Sequence, residues 1–458
     1  MKVRAAPLLD PTGPGPGRDV DELLAAAGLP PPPGSHPVAA PTGELTAWAA
    51  SGGMALTGWP DQAPLPPPAP VLGRLGAVTA AIAAVTSRLG DRVDVDLPVT
   101  LFGRAALLAG RRAGTTSVGG SCQLLPAADG WLALNLPRWE DAEAVPALVG
   151  RAVTDPWGPL GGFARSRPAA DAAARAQELG IPAAALGEAG DARVRARRLG
   201  APAAVRSRPL VVDLSALWAG PVVAHVLGRA GARVVKVETP ERPDGARRGP
   251  RAFFDWLHAG HESAAWDFTT PDGSARLRAL LRRADVVIEA SRPRALRQLG
   301  LDAEELVAER PGRTWLSITA YGRGGPWSNR VGFGDDVAAA AGLVARDPAG
   351  VPVFCGDAIA DPVTGLVAAL ATLTAVAAGG GYLLDVSLAA ATAFVGRPAA
   401  PLVPELLPLG PGRWAVRDGA GEQEVLAPRP PTPLREAEPL GASTAVVLGE
   451  LGDADARR

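Results

Sequence analysis

The sequence predicts an α/β fold built on a doubly wound parallel sheet. From about residue 207 onward, short β-branched apolar runs alternate with apolar helical stretches, and the first unit reads strand, helix, strand. Such a unit requires two parallel strands joined by a right-handed crossover. Repetition of this unit closes most naturally into a Rossmann-like sheet with helices on both faces.

The elements of this region follow one another in a regular order. β-branched residues dominate the predicted strands, and apolar residues recur at helical spacing between them. The predicted strands lie at 209–215, 233–238, 284–290 and 314–320, and the predicted helices at 220–232 and 273–284.

The N-terminal half has a different composition. Residues 1–44 and 60–70 are rich in Pro and Gly, which do not sustain helix interiors or central strands, so we expect loops there. An apolar helix is predicted at 75–90 and a strand at 131–136. Strands and helices therefore alternate in this half as well.

An internal repeat connects the two halves, because residues 51–102 can be laid on 341–393 almost without gaps. Small residues, an apolar helix and a strand recur in the same order. The matched pairs are 50–54 with 340–344, 75–88 with 366–379, and 93–97 with 384–388. In this register Pro70 corresponds to Asp361. We therefore predict a degenerate duplication in which only the second copy holds an acidic group at this position.

The composition excludes several classes of function. The net charge is −1 and charged residues make up 20%, so neither a nucleic-acid nor a membrane partner is favoured. Cys122 and Cys355 have no CxxC or Cys/His spacing, so neither a disulfide framework nor a metal site is expected. The N-terminus lacks a signal-peptide pattern, and no run of about 18 apolar residues is apparent. We expect a soluble, unprocessed, cytoplasmic protein.

Asp361 and Pro362 precede an apolar stretch with leucines at helical spacing. Asp is a favoured N-cap and Pro a favoured first helical residue, so a purely structural helix start explains this pair well. Asp357 is a second acidic residue in the same loop. On position alone, the structural interpretation of Asp361 is favoured over a catalytic one.

Several motifs occur together and in a fixed order. They are VVDLSALWAGPVVAHVLGRAGARVVKVE (211–238), WDFTTPDG (266–273), ADVVIEASRP (284–293), SITAYGRGGPW (317–327) and ADPVTG (360–365). Together they resemble the class III CoA-transferase family, also called the CaiB/BaiF type, over about 207–393. GASTAVVLGELG (441–452) resembles the family's C-terminal helix. The stretch 119–136 resembles the strands of its small domain, and 176–190 resembles its later AGIPA-x-x-V segment.

The resemblance implies that Asp361, rather than Asp357, is the nucleophile. An enzyme of this family moves CoA between an acyl-CoA donor and a carboxylic acid acceptor through an aspartyl anhydride and an aspartyl-CoA thioester. Coenzyme A thioester is then a substrate, and no permanently bound cofactor is implied. The helix N-terminus favours the ionised form of Asp361 that a nucleophile requires.

The residues implied to contact CoA depart from the family pattern. GHES (260–263) stands where the family has an N-K-R or N-K-G run, and EASRPRA (289–295) stands where it has EN-x-RPG. His261, Arg292 and Arg294 are candidates for phosphate contacts, each with surface charge or packing as the alternative. Trp218, Ala219 and Gly220 are candidates for the wall of the CoA pocket, with packing beneath the sheet as the alternative for Trp218.

Two further functions stay open. A catalytically silent CoA-binding or scaffolding homologue is favoured by the altered contact positions, whereas the intact ADPVTG favours the enzyme. An acyl-CoA racemase-like enzyme needs a His in a G-H-D segment, and Phe333 of GFGDD (332–336) replaces it here.

The resemblance divides the chain into four segments. These are a Pro/Gly-rich segment (1–44), a degenerate copy that includes the small domain (45–200), a Rossmann-like domain with Asp361 (207–399), and a Pro-rich linker with a C-terminal helix (400–458). Family members form interlocked dimers, so the resemblance implies a homodimer or a single-chain pseudo-dimer.

Overall fold

A computed structural model describes residues 16–32, 43–397, 399–400 and 402–455. The helices are α1 (Pro16–Ala27), α2 (Glu44–Ser51), α3 (Val71–Leu89), α4 (Leu97–Leu107), α5 (Trp139–Val149), α6 (Trp157–Arg165), α7 (Ala169–Glu178), α8 (Ala219–Arg229), α9 (Arg251–His258), α10 (Pro271–Arg283), α11 (Pro293–Gln298), α12 (Ala303–Glu309), α13 (Gly334–Ala340), α14 (Ala360–Ala377), α15 (Leu388–Val395) and α16 (Thr444–Asp455).

The strands form four sheets. They are β1 (Cys122–Pro126), β2 (Trp131–Asn135), β3 (Ala183–Ala185), β4 (Arg195–Arg198), β5 (Leu210–Leu214), β6 (Arg233–Glu238), β7 (Glu262–Ala265), β8 (Val286–Glu289), β9 (Thr314–Thr319), β10 (Val344–Arg346), β11 (Pro352–Phe354), β12 (Tyr382–Ser387), β13 (Glu405–Gly410), β14 (Arg413–Asp418) and β15 (Gly421–Glu424).

The largest sheet has seven strands in the order β4-β12-β9-β8-β5-β6-β7. All of its neighbours pair in parallel except β4, which runs antiparallel to β12 at one edge. The strands predicted at 209–215, 233–238, 284–290 and 314–320 are all present in it. The prediction of a mixed α/β fold with a large, mainly parallel sheet is confirmed.

Alternating side chains of the central strands enter two separate hydrophobic cores. Val211 and Val234 join the core that includes α3, α8 and α14, whereas Val212 and Val235 join the core that includes α10, α12 and α16. This alternation follows from the two-residue repeat of a strand. The sheet is therefore covered by helices on both faces.

A smaller α+β unit is formed by residues of the N-terminal half. The antiparallel sheet β1-β2-β3 packs against α5, α6 and α7 around its own apolar core. Asn135 of β2 reaches α13, where its side-chain amide donates to Asp336 at 2.8 Å. This unit therefore contacts the segment that leads to Asp361.

Helices α3 and α14 pack against each other and join the two halves of the chain in one core. Both are long and apolar enough to cross a membrane by length and composition, but 67% and 83% of their apolar windows are buried inside the fold. The expectation that no apolar stretch of this length occurs was wrong for these two helices, whose burial identifies them as core helices.

Some predicted elements differ from the structure. Residues 93–96 form no strand, so the repeat pairs an irregular segment with β12. Residues 405–424, placed in a linker by sequence, form the antiparallel sheet β13-β14-β15. Within the Pro/Gly-rich segment, α1 forms because Val20, Leu23 and Leu24 bury one helical face. The rest of the loop prediction for 1–44 lies largely outside the described residues.

Candidate active site

Asp361 lies in the first turn of α14, as its second residue. The residue at the N-cap position is Ile359, whose side chain makes no capping hydrogen bond. The Asp361 carboxylate accepts from the backbone amide of Gly334 on α13. The side chain is partly exposed although the next fourteen residues of the helix are buried. The structural interpretation of Asp361 as a helix cap therefore does not describe its position.

Three more charged side chains surround Asp361. Asp357 is fully buried and forms an ion pair with Arg104 of α4, with 2.5 Å between its Oδ1 and the guanidinium. Asp335 of α13 accepts a hydrogen bond from the backbone amide of Ala358 at 2.9 Å. The cluster thus combines three carboxylates from the second half of the chain with one cation from the first half.

Burial raises the pKa of Asp361 to about 7. Arg104 opposes this increase, as does the backbone amide of Gly334, whereas the carboxylates of Asp335 and Asp357 add to it. The sequence argument that a helix N-terminus keeps this group ionised was therefore incomplete. The effect of desolvation on this pKa is larger than that of the helix N-terminus.

The other acids of the cluster follow the same trend. Burial raises the pKa of Asp335 to about 6, with a further increase from Asp357. Burial also raises the pKa of Asp357, against the effect of Arg104. Burial opposes the charge of Arg104, but the neighbouring carboxylates, led by Asp357, hold the pKa of its guanidinium above the usual value.

Two loops beside the site have unusual backbone conformations. Ala358 has φ 43° and Leu217 has φ 68°, a left-handed region that non-glycine residues rarely adopt. Ala358 leads into α14, and Leu217 leads into Trp218 at the N-terminus of α8. Such backbone conformations persist only where surrounding contacts fix them, and they concentrate at functional sites.

A buried polar network fixes the loop that carries Trp218. Lys236 is 1% exposed, lies 2.9 Å from the carboxylate of Asp244 and donates to the carbonyl oxygen of Ser215. Asp244 in turn accepts from the backbone amide of Leu217 at 2.9 Å. Lys236, quoted above as part of the first motif, therefore stabilises the left-handed turn at Leu217.

Trp218, Ala219 and Gly220 begin α8 and are all buried. The guanidinium of Arg104 lies over the Trp218 ring, 5.4 Å from its centroid, so Trp218 borders the Asp361 cluster. A side chain at Gly220 would lie 2.1 Å from Oγ of Ser215, which explains the need for glycine there. The sequence-predicted wall of the pocket is thus next to the candidate nucleophile.

Arg292 and Arg294 are exposed on the loop and helix that follow β8. Partial desolvation and the nearby guanidinium groups of Arg294, Arg138 and Arg242 lower the pKa of Arg292. Arg242 follows β6 and Arg138 follows β2, so strand ends from both halves of the chain bring cations together. Such a group favours an anion, above all a phosphate.

His261 lies elsewhere. It precedes β7, at the opposite end of the parallel sheet from Arg292, and is 5% exposed. Its Nδ1 is 3.3 Å from Nδ1 of His258, and burial lowers the pKa of His261 to about 3. The structure therefore separates His261 from the other predicted contact residues.

The segment GFGDD (332–336) lies at the N-terminus of α13, beside Asp361. A Cβ at Gly334 would lie 2.6 Å from Oδ2 of Asp361, so glycine is required for this close approach. The Arg138 guanidinium lies over the Phe333 ring, with its Cζ 5.5 Å from the ring centroid. Asp336 is buried and accepts from the amide of Asn135.

Arg104 and Arg138 are the site residues that the sequence analysis missed. Both belong to the N-terminal half, where the motifs are weak. Nothing in the sequence distinguishes them from the other arginines, which supply nearly all of the chain's basic residues. The position of Arg104 beside Asp357, and of Arg138 over the Phe333 ring, depends on packing between distant segments, which no local pattern reports.

A separate cavity of about 320 Å³ lies between β2 and the β10-β11 hairpin. Glycines and apolar residues dominate its lining, and Arg346 is its one titratable group. The lining residues are Gly130, Trp131, Leu186, Gly187, Gly342, Val344 and Arg346. This chemistry does not suit acyl transfer, so the carboxylate cluster is the better candidate.

Residues 209–402 match the model of the family described as CoA-transferase family III. Succinate–glutarate CoA-transferase of Agrobacterium fabrum is 34% identical over 197 residues, covering 39% of this chain and 49% of that protein. Succinyl-CoA–D-citramalate CoA-transferase of Chloroflexus aurantiacus is 31% identical over 198 residues, covering 40% and 49%. The chain therefore spans about half the length of these relatives.

One solved structure is also similar in sequence to part of the chain. A CaiB/BaiF family protein from Brucella suis is 30% identical over 47% of this chain and 64% of that chain, with a TM-score of 0.39. The matched family region contains Asp361, Trp218 and Arg292. Arg104 and Arg138 lie outside it.

Proposed function

We propose that this chain, whose residues 209–402 form a CoA-transferase family III domain, moves CoA between carboxylic acids with Asp361 as the nucleophile. The observation that carries the proposal is a partly exposed, uncapped carboxylate at the start of α14, beside a fixed guanidinium. The N-terminal half, in this proposal, completes the site rather than only the fold.

The chemistry proceeds by covalent exchange. A carboxylate oxygen of Asp361 attacks the thioester carbonyl carbon of the donor, the C–S bond breaks, and CoA leaves as a thiolate. The thiolate then attacks the aspartyl carbonyl of the mixed anhydride, which releases the donor acid and leaves an aspartyl-CoA thioester. The acceptor carboxylate repeats these steps in reverse, so Asp361 is regenerated and acceptor acyl-CoA is formed.

Protonation controls the first step. Only the ionised carboxylate is a nucleophile, and the pKa of Asp361 is about 7. Exchange should therefore increase as pH rises through about 7. The groups that set this value are Arg104 on α4, Asp335 and the Gly334 amide on α13, and Asp357 in the preceding loop.

The CoA phosphates, in this proposal, bind to the cations beyond β6 and β8. Arg292 and Arg294 retain the role that the resemblance implied, and Arg242 and Arg138 join them. Trp218, Ala219 and Gly220 border the path from these cations to Asp361. We assign His261 to packing, because it lies at the other end of the sheet.

The relatives suggest substrates to test. The names of two of them specify succinate, glutarate, succinyl-CoA and citramalate, so a small dicarboxylic acid and its CoA thioester are the first choices. We propose a cytoplasmic location for this chemistry.

The finer description of the fold is also a proposal. The strand order and the cores on both faces support a doubly wound, Rossmann-like sheet. The contact between α3 and α14, each preceded by a shorter helix, supports a degenerate duplication and a single-chain pseudo-dimer.

One observation favours a second candidate function, a catalytically silent CoA-binding protein. Trp218 is 2% exposed and Arg104 lies on its ring, so bulky side chains fill the space next to Asp361. This protein would bind CoA through the arginines without forming a covalent adduct.

An exchange assay separates the two candidates. Wild-type protein is incubated with succinyl-CoA and glutarate, and glutaryl-CoA is measured. Asp361→Asn should abolish exchange, whereas Asp171→Asn, which changes an exposed acid in the first turn of α7, should retain it. CoA binding without exchange by the wild type would support the silent protein, and equal activity of both variants would remove Asp361 from the mechanism.

A further inference from the structure

The guanidinium of Arg104 is held beside Asp361 from outside the family domain. Its partner Asp357 is fully buried, and the Trp218 ring supports its face. These two contacts fix the position and orientation of a side chain that is otherwise long and mobile. Arginine in such a setting is pre-organised, and little conformational entropy is lost when it binds a further group.

Arg104 has donors left for another partner. One terminal nitrogen donates to Asp357, whereas Nε has no hydrogen-bond partner among the described residues. About a quarter of the side chain, 26%, is exposed. A guanidinium carries five N–H donors in a planar fork, so one ion pair does not satisfy it.

The two terminal nitrogens of Arg104 have different surroundings. Nη2 donates to Asp357 and faces Gly119, where a Cβ would lie 3.5 Å from it, whereas Nη1 makes no hydrogen bond to the described residues. Asp361 is partly exposed, and among the described residues Arg104 is the cation that most lowers its pKa. Charge that develops near Asp361 therefore has this guanidinium to stabilise it.

We propose that Arg104 binds the carbonyl oxygen of the acyl group that Asp361 attacks, and stabilises the oxyanion formed on that oxygen. The inference rests on the proposed function and assigns a catalytic residue to the N-terminal half. Attack by Asp361 moves the carbonyl π electrons onto this oxygen, and breaking of the C–S bond returns them. Fixed donors aimed at such an oxygen act most strongly when water is excluded.

The test is steady-state exchange between succinyl-CoA and glutarate by Arg104→Lys. Lysine keeps the charge and the ion pair with Asp357 but lacks the planar fork. We expect kcat to fall by about 100-fold, as for loss of one oxyanion donor, with KM for succinyl-CoA nearly unchanged. The acid limb of the pH profile should stay near 7, because the charge beside Asp361 is retained.

Arg112→Lys is the matched control. Arg112 lies in the same segment and donates to backbone carbonyls of Trp59 and Gln62, so its replacement should leave kcat unchanged. If Arg104→Lys folds poorly, ethylguanidinium is added to Arg104→Ala, and recovery of kcat supports the proposal.

The outcomes separate this inference from the proposed function. An inactive wild type overturns both. An active wild type with full kcat in Arg104→Lys, or with no recovery of Arg104→Ala by ethylguanidinium, overturns the role of Arg104 alone.

Discussion

The N-termini of α3 and α14 lie in the same hydrophobic core but differ in the hydrogen bonds made by the acidic side chain at each. At α3, both carboxylate oxygens of Glu44 accept backbone amides, from Leu72 and Gly73, each at 2.8 Å. At α14, Asp361 makes no such cap. The N-terminus of α3 is therefore capped by Glu44 of α2, whereas the first turn of α14 contains an acidic residue, Asp361, that does not cap this helix.

The difference extends to the neighbouring atoms. Around α14, Nε of Arg104, Oδ2 of Asp357 and Nε1 of Trp218 are buried without a hydrogen-bond partner in the described residues. Unsatisfied buried polar atoms destabilise a fold, so these three atoms reduce stability near the start of α14. At the start of α3, by contrast, the acidic side chain of Glu44 is hydrogen-bonded to the backbone and has a structural role.

Removing the cation at the α14 end should produce the largest effect. Arg104→Met leaves Asp357 buried without its counter-ion, which should lower the free energy of unfolding by about 3 kcal/mol. Urea denaturation monitored by circular dichroism measures this loss. Arg104→Lys is the control and should recover most of it; equal losses in both variants would show that charge is not the cause.

Removing an acidic side chain near the start of α14 should change the pH dependence of CoA exchange rather than the stability. Asp335 raises the pKa of Asp361, so Asp335→Asn should move the acid limb of exchange below 7, by less than about one pH unit. Asparagine keeps a carbonyl to accept the Ala358 amide. The pH profile of kcat with succinyl-CoA reports the shift, and movement toward higher pH would contradict the assigned charges.

The α3 end should respond in stability only. Glu44→Gln retains one acceptor for two backbone amides and should cost about 1 kcal/mol of unfolding free energy. Exchange activity should match that of the wild type, because Glu44 caps a helix that holds no nucleophile. A large loss of kcat without unfolding would mean that the two helix starts are not functionally distinct.

Asp361 itself should show the smallest effect on stability. Its folded pKa is raised to about 7, so its contribution to stability is present below about pH 4 and is lost as pH rises through 7. Asp361→Asn should therefore raise Tm at pH 8, by roughly 2 °C, and not at pH 4. Thermal scans at the two pH values test this, and a lower Tm at pH 8 would contradict the burial argument.

Sequence patterns predicted the helices and strands of the family domain because their apolar residues are periodic. Asp361 and Trp218 could be located for the same reason, since ordered motifs surround them. Arg104 could not, because its role depends on α4 packing against the loop at Asp357, more than 250 positions along the chain. The pKa of Asp361 was also beyond the sequence, since it reflects burial among carboxylates.

The most direct test is to trap the intermediate on Asp361. Wild-type protein is mixed with succinyl-CoA, quenched with hydroxylamine, digested and analysed by mass spectrometry. We expect a hydroxamate on the peptide that contains ADPVTG, located at Asp361, and none in Asp361→Asn. A hydroxamate on another residue, or no adduct while exchange proceeds, would contradict the assignment of Asp361 as the nucleophile.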